Sequence, residues 1–198
     1  MNTPRKKYLT LSNGVTTLLV LFIAAMLFFP QVKAGVIRGL MTIGLFQPKM
    51  PSLVGENTAL IPAPSFAITG VNHQALDLAE QKGKVLFINF WATWCPPCIA
   101  EMPSIHKLYQ QFKDDPNVQF LLIDVDAQPQ RSHDFMVRNN WDLPVYIPNQ
   151  NIPPDYFTGT LPTTVIVNRK GQITFKHTGA GDFGNKKTRD YLKWLSEQ

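Results

Sequence analysis

The sequence predicts an α/β domain, a central mixed β-sheet flanked by helices, carried behind an N-terminal transmembrane helix. Three observations predict the domain. Val85-Leu86-Phe87-Ile88-Asn89-Phe90 is an almost unbroken apolar run, the signature of a strand covered on both faces. Apolar residues then recur at helical spacing (Ile99, Met102, Ile105, Leu108, Tyr109, Phe112) before a second apolar run at 118–125, so a helix crosses between two strands and leaves them parallel. Further on, the segments 163–168 and 172–177 flank Lys170-Gly171 and read as a β-hairpin, which adds an antiparallel pair.

The N-terminal region justifies the transmembrane helix. Residues 8–32 carry no charge and 18–29 are wholly apolar, long enough to span a bilayer. Arg5-Lys6-Lys7, the apolar stretch and Val32-Lys33-Ala34 also fit a signal peptide cleaved near Ala34. The continuation at 35–46 favours a retained anchor. It is too apolar for a free tail and suits a helix lying on the membrane surface, with a helix packed on the domain as the alternative. Lys33, Arg38 and Lys49 after the span nearly balance Arg5, Lys6 and Lys7 before it, and the free amino terminus tips the orientation toward N-inside. The domain is then exported to the periplasmic or outer face of the cytoplasmic membrane. Residues 47–64, with Pro48, Pro51, Pro62 and Pro64, read as a semi-rigid spacer. The chain divides into an anchor or signal segment (1–34), an amphipathic segment and linker (35–58) and the α/β domain (59–198).

Within the domain, 66–69 is a short strand and 75–78 pairs beside it across the Gly70 turn. The first long helix covers 96–112, with Pro103 expected to kink it. Pro129 starts a helix to about residue 140, Val145-Tyr146-Ile147 is a strand, 152–157 is a loop, and an amphipathic helix closes the chain at 185–197.

Charge excludes one class of function. Residues 1–50 hold six basic and no acidic residues, whereas the rest hold 13 basic and 14 acidic ones, so the overall net charge of +5 belongs to the leader. The folded part offers no basic face for a nucleic acid.

Cys95 and Cys98 are the only cysteines, and they sit where the buried strand gives way to the helix. A thiolate is the reactive form of cysteine, and the free amides and macrodipole of a helix start lower a thiol pKa. Cys95 at the N-cap is the expected nucleophile. Cys98, one turn on and more buried, resolves the mixed disulfide. Pro96 and Pro97 bring no amide hydrogen, so Cys98 is the first residue able to donate to the Cys95 sulfur. The alternatives are a zinc half-site or two core cysteines. Zinc needs four ligands, and His73, His106, His133 and His177 lack pair spacing. No metal and no cofactor beyond the dithiol is called for.

The order of elements, Trp94-Cys95-Pro96-Pro97-Cys98 after a buried strand, and Leu161-Pro162-Thr163 before the hairpin resemble a thioredoxin fold. More narrowly, residues 89–98 with Glu101-Met102-Pro103 behind a membrane segment resemble the TlpA/ResA-like group of thiol-disulfide oxidoreductases. The resemblance implies a cis Pro162 facing the cysteines, with the Leu161 backbone offered to a substrate strand. It also places Glu101 at the group's glutamate position, near Cys98. Asn89 stands where ordinary thioredoxins have a buried acid, and an amide cannot accept a proton. Glu101 is therefore either a group that shifts thiol pKa values and relays a proton or a solvated carboxylate favoured by the helix dipole. Trp91 is read as packing, while Trp94, Pro97, Leu161 and Pro162 line the substrate groove.

The implied activity is exchange of electrons with protein disulfides in the reductive direction. Substrates are cysteine-bearing envelope proteins such as apocytochrome c, and the donor is a membrane thiol reductase. A disulfide-forming oxidase uses the same residues at a higher potential. A thiol peroxidase and a binding module with a structural disulfide are the more distant rivals.

Overall fold

The structure, a computed structural model, describes residues 11–51 and 60–198. Arg5-Lys6-Lys7, spacer residues 52–58 and residue 59 lie outside the described residues. Helices α1 (Leu11–Phe28) and α2 (Pro30–Thr42) precede a single sheet. Its strands are β1 (Ile61–Pro62), β2 (Ala67–Gly70), β3 (Ala75–Asp77), β4 (Val85–Trp91), β5 (Val118–Asp124), β6 (Val145–Pro148), β7 (Thr163–Val167) and β8 (Gln172–Thr178). They lie in the order β1-β8-β7-β4-β5-β6-β2-β3, and α3 (Pro96–Phe112), α4 (Pro129–Arg138) and α5 (Lys186–Ser196) complete the fold.

The apolar run at 85–90 becomes the inner strand β4, every residue of which is buried. It pairs parallel with β5 and antiparallel with β7, so the sheet is mixed as expected. Alternation along β4 sorts the core into two layers. Val85, Phe87 and Trp91 face one layer with α2, α3, α4 and α5, whereas Leu86, Ile88 and Phe90 face the other with Phe66, Leu78 and Tyr156. Asn89 has the parity of the helix-covered face, which turns its amide toward α3.

α3 runs over the expected residues and continues through Pro103. α5 starts one residue late because Asn185 caps it, the side chain accepting from the Thr188 amide at 3.0 Å. Strands β2 and β3 pair antiparallel as expected, and β2 also joins β6.

The N-terminal region differs from the single helix expected through residue 32. Proline has no amide hydrogen and its ring blocks the preceding turn, so the helix breaks before Pro30 and the two halves meet at 104°. Among the described residues no single helix is long and apolar enough to cross a membrane, and the bent pair Gly14–Phe28 with Pro30–Thr42 meets that test only together. Of the two readings for 35–46, packing on the domain is realised along one face. Ala34 and Met41 are buried and Ile37 packs beside them against the cluster that holds α3.

One buried group that sequence reading missed organises the β5–α4 loop. Asp124, 1% exposed, accepts from the Asp126 amide (3.1 Å), the Gln128 amide (3.0 Å) and the Ser132 hydroxyl (2.6 Å). Asp124→Ala strands these donors and is expected to lower stability by roughly 2–4 kcal/mol, measured by chemical unfolding.

Candidate active site

The sheet brings three chain segments to one end. The β4–β5 register sets Trp91 opposite Asp124, and the β4–β7 register sets Phe90 opposite Thr163. Residues 92–98, the turn after Asp124 and Leu161-Pro162 therefore emerge together, although the first and last are more than sixty positions apart in the sequence. The Leu161–Pro162 peptide is cis, as the resemblance implies.

Cys95 is the N-cap of α3, with both prolines in the first turn. Its sulfur accepts from the Cys98 amide at 3.3 Å, the first donor that Pro96 and Pro97 leave available. Cys95 and Cys98 form a disulfide with Cα atoms 5.3 Å apart, the reach of one helical turn. Cys98 is fully buried and Cys95 only 3% exposed. Trp91 is buried, and its ring packs against Phe135. Trp94 is half exposed, its indole Nε1 donating to Asp126 Oδ2 at 2.5 Å. Pro97 and Leu161 are partly exposed, and Pro162 is buried. Asp126 joins the site only through the parallel pairing of β5 with β4, and no sequence signal marked it.

Glu101 is not solvated: it has no exposed surface, which removes that alternative. One oxygen accepts from Asn89 Nδ2 at 2.8 Å and the other from the Gly181 amide at 3.0 Å. Asn89 also donates to Thr164 Oγ1 at 2.9 Å. Burial pushes the Glu101 carboxyl from 4.5 up to about 8, against the opposing pull of the Asn89 and Gly181 hydrogen bonds. A buried carboxyl on α3 therefore meets the amide of β4 within one layer of the core. Asn89 holds it, while Thr164 and Gly181, which sequence reading missed, close the pocket from elements about 80 positions away. His106 stands apart on α3, bonded to Asp142 at 2.7 Å.

The family model for Redoxin matches residues 59–192. The chain belongs to the Redoxin family. This redoxin is 30% identical over 154 residues to the thiol-disulfide oxidoreductase ResA of Bacillus thuringiensis, covering 77% of this chain and 84% of that protein. It is 32% identical over 118 residues to ResA of Bacillus subtilis, covering 59% of this chain and 65% of that protein. Among solved structures, a thiol:disulfide interchange protein of the thioredoxin family from Chlorobium tepidum matches with a TM-score of 0.55 and 25% identity, over 71% of this chain and 99% of that one. StoA from Bacillus subtilis matches with a TM-score of 0.53 and 24% identity, over 68% and 97%. The fold is thioredoxin-like, and the protein is a thiol-disulfide oxidoreductase whose disulfide joins Cys95 to Cys98.

A buried acid whose proton affinity is raised by folding binds protons more tightly in the native state than in the unfolded one. The native state is therefore disfavoured as pH rises from 4.5 toward 8, where the unfolded chain ionises Glu101 freely and the folded chain must do so in a dry pocket. Thermal unfolding across that window is expected to show the melting temperature of the wild type falling, and Glu101→Gln should flatten the decline.

Proposed function

We propose that this redoxin is an extracytoplasmic reductant of protein disulfides, held to the cytoplasmic membrane by its N-terminal region. One observation carries the reading: a disulfide capping a helix start, with a buried carboxyl of near-neutral proton affinity one turn beyond its inner sulfur. In the reduced protein the Cys95 thiolate attacks a substrate disulfide, forming a mixed disulfide and releasing one substrate thiolate. Cys98, deprotonated, attacks Cys95 Sγ, expels the second substrate thiolate and leaves the Cys95–Cys98 bond. Two electrons pass from the dithiol to the substrate. A donor must then return them, and the TlpA/ResA resemblance points to a membrane thiol reductase.

Glu101 is suited to take the Cys98 proton as that thiol becomes a nucleophile, because a base acts best when its pKa lies near the working pH. Trp94, Pro97, Leu161 and Pro162 form the rim on which a substrate chain rests, with Trp94 steadied by Asp126. The dithiol carries the electrons by itself, without metal or organic cofactor. Cysteine-bearing envelope proteins such as apocytochrome c are the substrate class that the resemblance favours.

Cys98→Ser is expected to hold client proteins on Cys95 as stable mixed disulfides, recoverable on non-reducing gels, while Cys95→Ser should abolish both trapping and disulfide reduction. Persistence of reduction in the Cys95→Ser protein would overturn the scheme. Equilibration with dithiothreitol is expected to place the couple near the reducing end of the range of about −270 to −120 mV seen for this fold. A value at the oxidising end would reverse the direction and leave a disulfide-forming oxidase.

A further inference from the structure

Helix α2 has two apolar faces, and only one is used by the domain. Ala34, Ile37 and Met41, at spacings of three and four, pack into the core layer that contains Cys98, Ile99 and Met102 of α3. Val36 and Leu40, four residues apart, project from a different side and are exposed, as are Ile43 at the C-cap and Leu45 and Phe46 just beyond. An apolar stripe of this kind, next to a helix as apolar and exposed as α1, has a specific neighbour available in the bilayer.

The bend decides how that neighbour is met. A single residue, Phe29, separates α1 from α2, so α2 begins where α1 ends. Their angle of 104° is close to a right angle, so an α1 near the membrane normal lays α2 along the surface. Its domain-facing side rules out the bilayer interior, because Ala34 and Met41 are already enclosed by protein. Lys33, of intermediate exposure, lies between the two faces by helical spacing.

The segment is also joined to the redox site. After α2 the chain turns through Gly44 and Phe46, both at positive φ, and the Phe46 carbonyl accepts from the Asp182 amide at 3.0 Å. Pro48 then lies so close to Gly181 that a Cβ there would meet its Cγ at 2.7 Å, and the Gly181 amide is the one that holds Glu101.

We propose that α2 is an interfacial bracket that seats the redox domain on the bilayer, with Val36, Leu40 and Ile43 in the headgroup layer and Ala34, Ile37 and Met41 on α3. The occupant of the open face is the lipid surface from which α1 emerges. The bracket sets the Cys95–Cys98 pair at a fixed height and orientation, within reach of a donor embedded in the same membrane. This rests on the reading of α1 as a retained anchor.

The test uses the full chain with Cys95→Ser and Cys98→Ser, carrying one nitroxide-labelled cysteine at a time at Val20→Cys, Leu40→Cys, Ile43→Cys or Gln111→Cys. The protein is reconstituted in vesicles of phosphatidylcholine and phosphatidylglycerol, and collisions with oxygen and with a water-soluble nickel chelate are compared. Should the serine pair not fold, alanine at both positions replaces it. Positions 40 and 43 are expected to be several-fold less accessible to nickel than position 111, and position 20 to be immersed. If position 20 is immersed while 40 and 43 are as open to nickel as 111, the bracket is overturned and the anchor stands. Nickel-accessible label at position 20 overturns the anchor and the bracket together. Protection at 40 and 43 that vanishes on lowering the protein-to-lipid ratio would mean that a second copy covers the face, which also overturns the proposal.

Discussion

The structure depends on the double burial of β4. A strand flanked by β5 and β7 and covered on both faces has its position and register set by packing, and a shift of one residue would send every side chain to the wrong layer. Because its C-terminal end is fixed, the backbone that leaves it is fixed as well, and Cys95 meets the first turn of α3 at a defined place. The same parity that buries Phe87 and Trp91 beneath the helices points Asn89 at α3.

From that constraint follows the electrostatic character of the site. An ionisable group in the layer beneath α3 is removed from water, and ionisation is disfavoured unless donors compensate. Here two donors are present, an amide side chain from the sheet and a backbone amide from the loop after β8, and burial still outweighs them. Asn89 is thus not simply a lost acid. The buried carboxyl of this layer sits on α3, one turn from Cys98, and Asn89 on β4 is one of its two hydrogen-bond donors.

The surface around the disulfide is arranged by the neighbouring strands. Asp124 at the end of β5 gathers the amides of the following loop, and that loop presents Asp126 to the Trp94 indole. On the other side, Phe157 stacks on Phe90 with ring centroids 5.2 Å apart, and Leu161 packs into both core layers. This end of the sheet is therefore framed by elements that packing holds in place, and the half-exposed Trp94 indole leaves an apolar ring face on its surface.

The sequence by itself determined the local chemistry: a buried strand, a helix beginning at Cys95, the pair one turn apart, the prolines that leave Cys98 the first donor, and a carboxyl at 101 on the same helix. These rest on spacing along a single element, where periodicity of 2 or 3.6 residues fixes which side chains are neighbours. Only the tertiary structure decided that Glu101 is buried rather than solvated, since its partners Asn89, Thr164 and Gly181 come from other elements. Asp126 reached Trp94, and α2 reached α3, by the same route. Such contacts are set by strand order and by the bend at Pro30, and residues distant in the chain leave no periodic trace of a meeting that happens only in three dimensions.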